Sequence, residues 1–260
     1  MAENKNNLKD AVKRQPRLYA VPEQIREPLK LFTEKLNIGL GDSLESITVV
    51  GSSLTQDYRP GKSDINTVIV LSKLTQNSLE TIAALAKPMS KKKISPPLLT
   101  TAAYIERSLD VFGVEFLDFQ LTHKTTVGND PFESLSFRKK DVRLQCEREL
   151  KAMLIRLRQG YIASAANRNL VRDVLISTIK GLAPLLRAML WLRDIDRPTE
   201  AEQTLKKAGG EFSISTEPLI SVSKWQYEKV RPDAVQVRNT FESVYSVVEQ
   251  LATIVDGLEV

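Results

Sequence analysis

Apolar residues recur along the chain in two rhythms: short alternating runs punctuated by glycine and proline up to about residue 137, and long helical periods from 138 onward. The change predicts two domains, 22–137 and 138–260, behind an N-terminal extension of residues 1–21. In the first domain Ile25, Leu29, Phe32 and Leu36 share one face at helical spacing and predict a helix over 22–36, which Pro28 should bend. A β-rich run at 46–50 closes on Gly51-Ser52-Ser53. A polar loop leads from there to a second strand over 64–71. A helix over 76–87, a basic turn at Lys91-Lys92-Lys93, a short strand at 98–101, a brief helix at 102–108 and a strand over 114–121 complete an α/β layer on a mixed sheet.

In the second domain Cys146, Leu150, Met153, Leu154, Leu157 and Tyr161 form an apolar stripe on a long helix starting at Lys139. Residues 170–192 are apolar nearly all round, which places them at a bundle centre, with Gly181 and Pro184 marking a kink. A helix over 199–208 should stop at Gly209-Gly210. A last one over 232–255 carries Val235, Phe241, Val244, Val248, Leu251 and Val255 as its stripe. The expected fold class is α+β: a mixed sheet domain followed by an all-α helical bundle. Trp191 and Trp225 read as core or interdomain anchors.

Composition narrows the chemistry. With 42% hydrophobic and 27% charged residues and a mean hydropathy of −0.21, this is an ordinary globular chain. No uninterrupted apolar run approaches the roughly 18–20 residues of a bilayer crossing, and the start shows no secretory signal, so a cytoplasmic protein without membrane association is expected. A single cysteine, Cys146, precludes an internal disulfide, and a single histidine, His123, precludes a zinc site of four Cys/His ligands. His123 is left as a turn residue or general base, and Cys146, inside the stripe, as a packed small hydrophobe. The net charge of +5 is uneven: residues 138–172 hold 10 Lys/Arg against 3 Asp/Glu. Such a segment is either a solvated helix face or an attractor of polyanions.

The stretch 49–71, VVGSSLTQDYRPGKSDINTVIVL, carries the chemistry. Gly51 allows a tight turn close to a ligand, and Ser52 offers a hydroxyl and an amide to phosphate oxygens. Asp64 and Asn66 point to one face because strand side chains alternate. Lys62, in the loop between, is placed to meet a phosphate. Such a corner is a pocket for Mg²⁺ and a nucleoside triphosphate (NTP), since Mg²⁺ takes hard oxygen ligands from carboxylates and substrate phosphates. A third acid has to come from GVEFLDFQL, where Glu115 and Asp118 fall on opposite faces of a regular strand, so only one of them can face the pocket.

These residues resemble the nucleotidyltransferase superfamily with the DNA polymerase β-like fold, whose motif is a strand, Gly-Ser, a loop and Asp-x-Asp on the next strand. The fingerprint covers 49–71 and the wider resemblance about 22–121. The resemblance implies that Gly51 and Ser52 cradle the phosphates and that Asp64 is the first metal ligand. It also implies a third acid on a later strand, for which Glu115 is favoured over Asp118. Asn66 departs from the pattern, offering an amide oxygen without charge. The helical layout from Lys139 onward is similar to the domain appended to small bacterial nucleotidyltransferases. The function implied is Mg-dependent transfer of a nucleoside monophosphate from an NTP to an acceptor, Glu115 taking the acceptor's proton. Asn66 motivates the alternative, a lapsed module that binds a protein partner. Arg143, Lys151 and Arg158, at near-heptad spacing on the first bundle helix, would face an anionic acceptor set between the domains, or a nucleic acid.

Overall fold

The structure, a computed structural model, describes residues 16–227 and 230–260. The chain forms two compact units. One comprises the described residues up to Leu109 with Phe119–Ser136; the other comprises Asp110–Asp118 with Phe137–Val260.

The first unit is built on a sheet. Helix α1 (Glu23–Leu40) buries Ile25, Leu29, Phe32 and Leu36, the apolar face read from the sequence, and Pro28 lies within it. Strand β1 (Leu44–Val50) runs antiparallel to β2 (Asn66–Leu71), and Ile47, Val49, Ile69 and Leu71 join the α1 face in one core. The span expected as one helix at 76–87 is two, α2 (Gln76–Ala83) and α3 (Ala86–Lys91), broken at Ala84-Leu85; Thr75 and Ser78 cap the first with a reciprocal box. Strand β3 (Leu98–Thr100) pairs in parallel with β2, and α4 (Ala102–Arg107) follows it.

The strand expected over 114–121 is instead helix α5 (Gly113–Leu121), a correction that moves the candidate acids. Eight residues with one Val, two Phe and two Leu suit either conformation. Tertiary contacts decide: the Val114 amide donates to the Gln145 side-chain oxygen at 2.8 Å, and Val114 and Leu117, one turn apart, pack into a helical core. The strand next to β1 is β4 (His123–Gly128), where Thr125, Thr126 and Val127 favour extended backbone. The sheet order is β3-β2-β1-β4. Gly128 holds a φ of +74°, and a Cβ there would overlap the Glu45 carbonyl oxygen. Gly128→Ala should cost roughly 2–4 kcal/mol, left-handed strain and overlap together, read as a lower urea midpoint.

The second unit is helical. Helix α6 (Lys139–Ala163) and helix α7 (Arg168–Leu192) pack through Cys146, Leu150, Leu157, Leu175, Leu182 and Leu186. By length and composition α7 meets the requirement for a membrane crossing, unlike the expectation from uninterrupted runs, and its buried residues form the centre of this core. Helix α8 (Ala201–Phe212) does not stop at Gly209-Gly210: Leu205, Ala208 and Phe212 continue one buried face past them, and Ser213, left-handed at φ 52°, ends it. Helix α9 (Glu217–Tyr227), absent from the sequence reading, buries Leu219, Val222 and Trp225. Helix α10 (Ala234–Asp256) opens on an Asp233/Gln236 capping box and buries Val237, Val244, Val248, Leu251 and Val255, while Val235 lies exposed outside the stripe.

Burial pushes the Cys146 thiol up to about 12, with the nearby Glu115 charge adding to the shift. The thiol therefore stays protonated at mildly alkaline pH. Iodoacetamide should leave Cys146 unmodified in the native protein and alkylate it in urea; labelling of the native state would show that the α6–α7 core opens.

Candidate functional site

Strand β1 delivers the chain to a corner. Val50 is extended, and Gly51 turns it at a φ of +77° into a short 3₁₀ segment, Gly51–Leu54. The Gly51 amide donates to the Thr122 carbonyl oxygen at 3.0 Å, tying the turn to the start of β4. Ser52 is exposed at its tip, whereas Ser53 is buried, its hydroxyl without a hydrogen-bond partner. The loop folds on itself, the amides of Lys62 and Ser63 donating to the Arg59 carbonyl oxygen at 3.0 and 2.8 Å; Lys62 is exposed.

Asp64 and Asn66 are exposed while Ile65 and Thr67 between and after them are buried, the alternation expected of a strand. Asn66 lies directly opposite Val50 in the β1–β2 register. The register thus sets the strand end that leads into Gly51-Ser52 beside the strand end that follows Asp64. His123 lies opposite Val50 on its other side.

The corner supplies one carboxylate, one amide oxygen and a serine hydroxyl, the Gly51 amide being bonded to the Thr122 carbonyl oxygen. That set suits one Mg²⁺ completed by triphosphate oxygens; a two-metal site needs more carboxylate. Among the described residues no three His, Cys, Asp or Glu side chains gather as a metal site would require. Strand β3, the neighbour of β2, contributes Leu98, Leu99 and Thr100 and no acid.

Glu115 and Asp118 lie one helical turn apart on α5 and not on opposite faces of a strand. Both are engaged inside the helical unit. Glu115 accepts from the Gln145 amide at 2.6 Å, and Asp118 accepts from Nε and a terminal nitrogen of Arg187 at 2.5 and 3.2 Å.

His123 has both ring nitrogens occupied. Nδ1 lies 2.9 and 3.2 Å from the Phe119 and Gln120 carbonyl oxygens at the end of α5, and Nε2 lies 2.7 Å from an Asp130 oxygen. With oxygens beside both nitrogens, the ring links the end of α5 to the turn after β4. Asp130 was not foreseen; its only signal was the Gly-Asn-Asp turn closing β4.

The basic row of α6 is also committed. Arg143 donates to Glu147 at 3.2 Å and to the last carbonyls of α10, Val255 and Asp256. Lys151 bonds Glu147 at 2.5 Å, which holds the Glu147 carboxyl below its usual range and the lysine above its own. Arg158 donates to the Tyr245 hydroxyl at 2.7 Å and lies over its ring. These contacts join α6 to α10, and Lys151 and Arg158 stay exposed beside their partners.

No protein-family model matches the chain, and no curated protein matches it. Among solved structures it is similar to a spectinomycin adenyltransferase from Enterococcus faecialis, crystallised with ATP and spectinomycin. The identity is 14%, the match covers 86% of this chain and 98% of that one, and the TM-score is 0.57. With a mixed sheet whose strand, glycine turn and second strand form the corner described above, and with helices making up the rest, the chain has a nucleotidyltransferase-like α+β fold.

Proposed function

We propose that this protein binds a nucleoside triphosphate with one Mg²⁺ at the Gly51/Asp64 corner and transfers the nucleoside monophosphate to an acceptor hydroxyl. The observation that supports the reading is the register of Asn66 on Val50, which sets the glycine turn of β1 and the Asp64/Asn66 pair of β2 at one end of two adjacent strands. In this reading the Gly51 turn and the Ser52 hydroxyl hold phosphate oxygens, Lys62 approaches from the loop, and Asp64 with Asn66 ligates the cation. A cation held by Asp64 and Asn66 would supply charge neutralisation at the triphosphate. The acceptor hydroxyl oxygen forms a bond to the α-phosphorus as the bridge to the β-phosphate breaks, the bonding pair leaving with pyrophosphate and the hydroxyl proton passing to water. Glu115 and Asp118, expected as proton acceptor and further ligands, would first have to leave Gln145 and Arg187. An anionic acceptor meeting Lys151 and Arg158, which stay exposed beside their α10 partners, belongs to the same reading.

The absence of an acid from β3 and the amide at Asn66 favour a second reading, a module that binds Mg·NTP without turnover. Calorimetric titration with ATP, with and without Mg²⁺, tests the shared part: no Mg-dependent heat overturns both readings. Release of pyrophosphate from bound NTP, followed with a pool of hydroxyl acceptors, separates them. Binding without release leaves the second.

A further inference from the structure

The lysine turn that precedes β3 comes back to the end of the sheet where Asp64 leads into β2. Just outside the two strands, Ile65 and Ile94 form an isolated parallel bridge. The Ile65 amide donates to the Lys93 carbonyl oxygen at 2.7 Å, and the Ser95 amide donates to the Ile65 carbonyl oxygen at 3.0 Å. Both isoleucines are buried, whereas the residues before them, Asp64 and Lys93, are exposed. Lys93 thereby neighbours Asp64 across the sheet at one strand spacing, about 4.8 Å between backbones. Among the described residues neither side chain has a hydrogen bond or an ion pair. The backbone of Lys93 is left-handed, at a φ of 59°, where glycine is ordinarily found. Bonds on both sides hold it there, since its amide donates to the Ser90 carbonyl oxygen and its own carbonyl accepts from Ile65. Its two neighbours are placed differently: Lys91 ends α3, and Lys92 lines an apolar slot with Phe32 and Met89.

We propose that Lys93 binds the triphosphate of a nucleotide held at the corner, its ammonium taking the phosphate charge that a second Mg²⁺ would otherwise take. The inference rests on the nucleotide reading given above and adds to it a residue on the far side of Asp64 from Gly51. The count of acids leads to it. Asp64 is the one acid among Gly51, Ser52, Asp64 and Asn66, and β3 brings none, a donor set suited to one divalent cation. A triphosphate with one Mg²⁺ keeps a net negative charge. A lysine one strand away from the cation's carboxylate neutralises part of it with no further ligands, because its ammonium meets phosphate oxygens as a point charge on a flexible stem. The same charge repels a second divalent ion from the place beside Asp64.

The test is calorimetric titration of the full-length protein with Mg·ATP at low and at high salt. Lys93→Gly removes the ammonium and suits the left-handed backbone, so circular dichroism and the thermal midpoint should match the parent protein. Its affinity for Mg·ATP should fall about tenfold at low salt, and its salt dependence should be flatter than the parent's, as the loss of a charge contact requires. A merely structural role would lower the thermal midpoint and leave the salt dependence unchanged. Lys93→Arg keeps the charge and should bind within about threefold of the parent. Lys91→Ala, two residues away and outside the register with Asp64, should bind as the parent does. The inference alone is overturned if the parent binds Mg·ATP and Lys93→Gly binds it equally well or with the parent's salt dependence. It is also overturned if Lys93→Arg binds as weakly as Lys93→Gly, or if Lys91→Ala loses as much. Absence of Mg-dependent binding by the parent protein overturns the nucleotide reading, and this inference with it.

Discussion

Asp64→Ala should lower the affinity for Mg·ATP by about two orders of magnitude without a change in thermal stability. Of Gly51, Ser52, Asp64 and Asn66, Asp64 alone carries a formal negative charge, and hard divalent ions depend on such a ligand. Its side chain is exposed, so truncation leaves no cavity and uncovers no buried group. Asn66→Asp tests the same ligand set from the other direction. It should raise Mg²⁺ affinity about tenfold, because a second carboxylate replaces a neutral amide at a position already in register with Val50. Equal nucleotide binding by the parent protein and Asp64→Ala removes the corner as the binding site. No response to Asn66→Asp shows that the cation is held elsewhere.

The second large effect concerns stability. Arg187 on α7 makes a two-point ion pair with Asp118 on α5, the side chains being 11% and 14% exposed, and reaches Thr204 on α8. Arg197 adds a bond to the adjacent Leu117 carbonyl oxygen at 3.1 Å. Removing one partner strands the other charge in a poorly solvated place, so Arg187→Met should cost about 3–5 kcal/mol in urea unfolding. The double variant Asp118→Leu/Arg187→Met should recover most of that loss, since two apolar side chains leave no charge unpaired. A single-variant cost below about 1 kcal/mol would mean that water reaches the pair and screens it.

Much of this protein is legible from local pattern. The α1 face, the strands ending at Val50 and beginning near Asp64, and the long α6 and α7 helices follow from spacing alone, because each helix buries a continuous apolar face and each strand is a short apolar run buried at nearly every position. The glycine turn and the Asp64/Asn66 pair were legible for the same reason, being local to one hairpin-like connection. Residues 113–121 were not. Their short apolar run satisfies both periods, and the choice of helix rests on Gln145, some thirty positions away, accepting from the Val114 amide. That choice carried Glu115 and Asp118 from an expected strand to partners in the helical unit, and let His123–Gly128 take the place beside β1. The basic row of α6 shows the same division. Sequence determined that Arg143, Lys151 and Arg158 share a face, but charge on a face is neutralised or left open by what packs on it, and only the tertiary structure brought Tyr245 and the end of α10 to meet it.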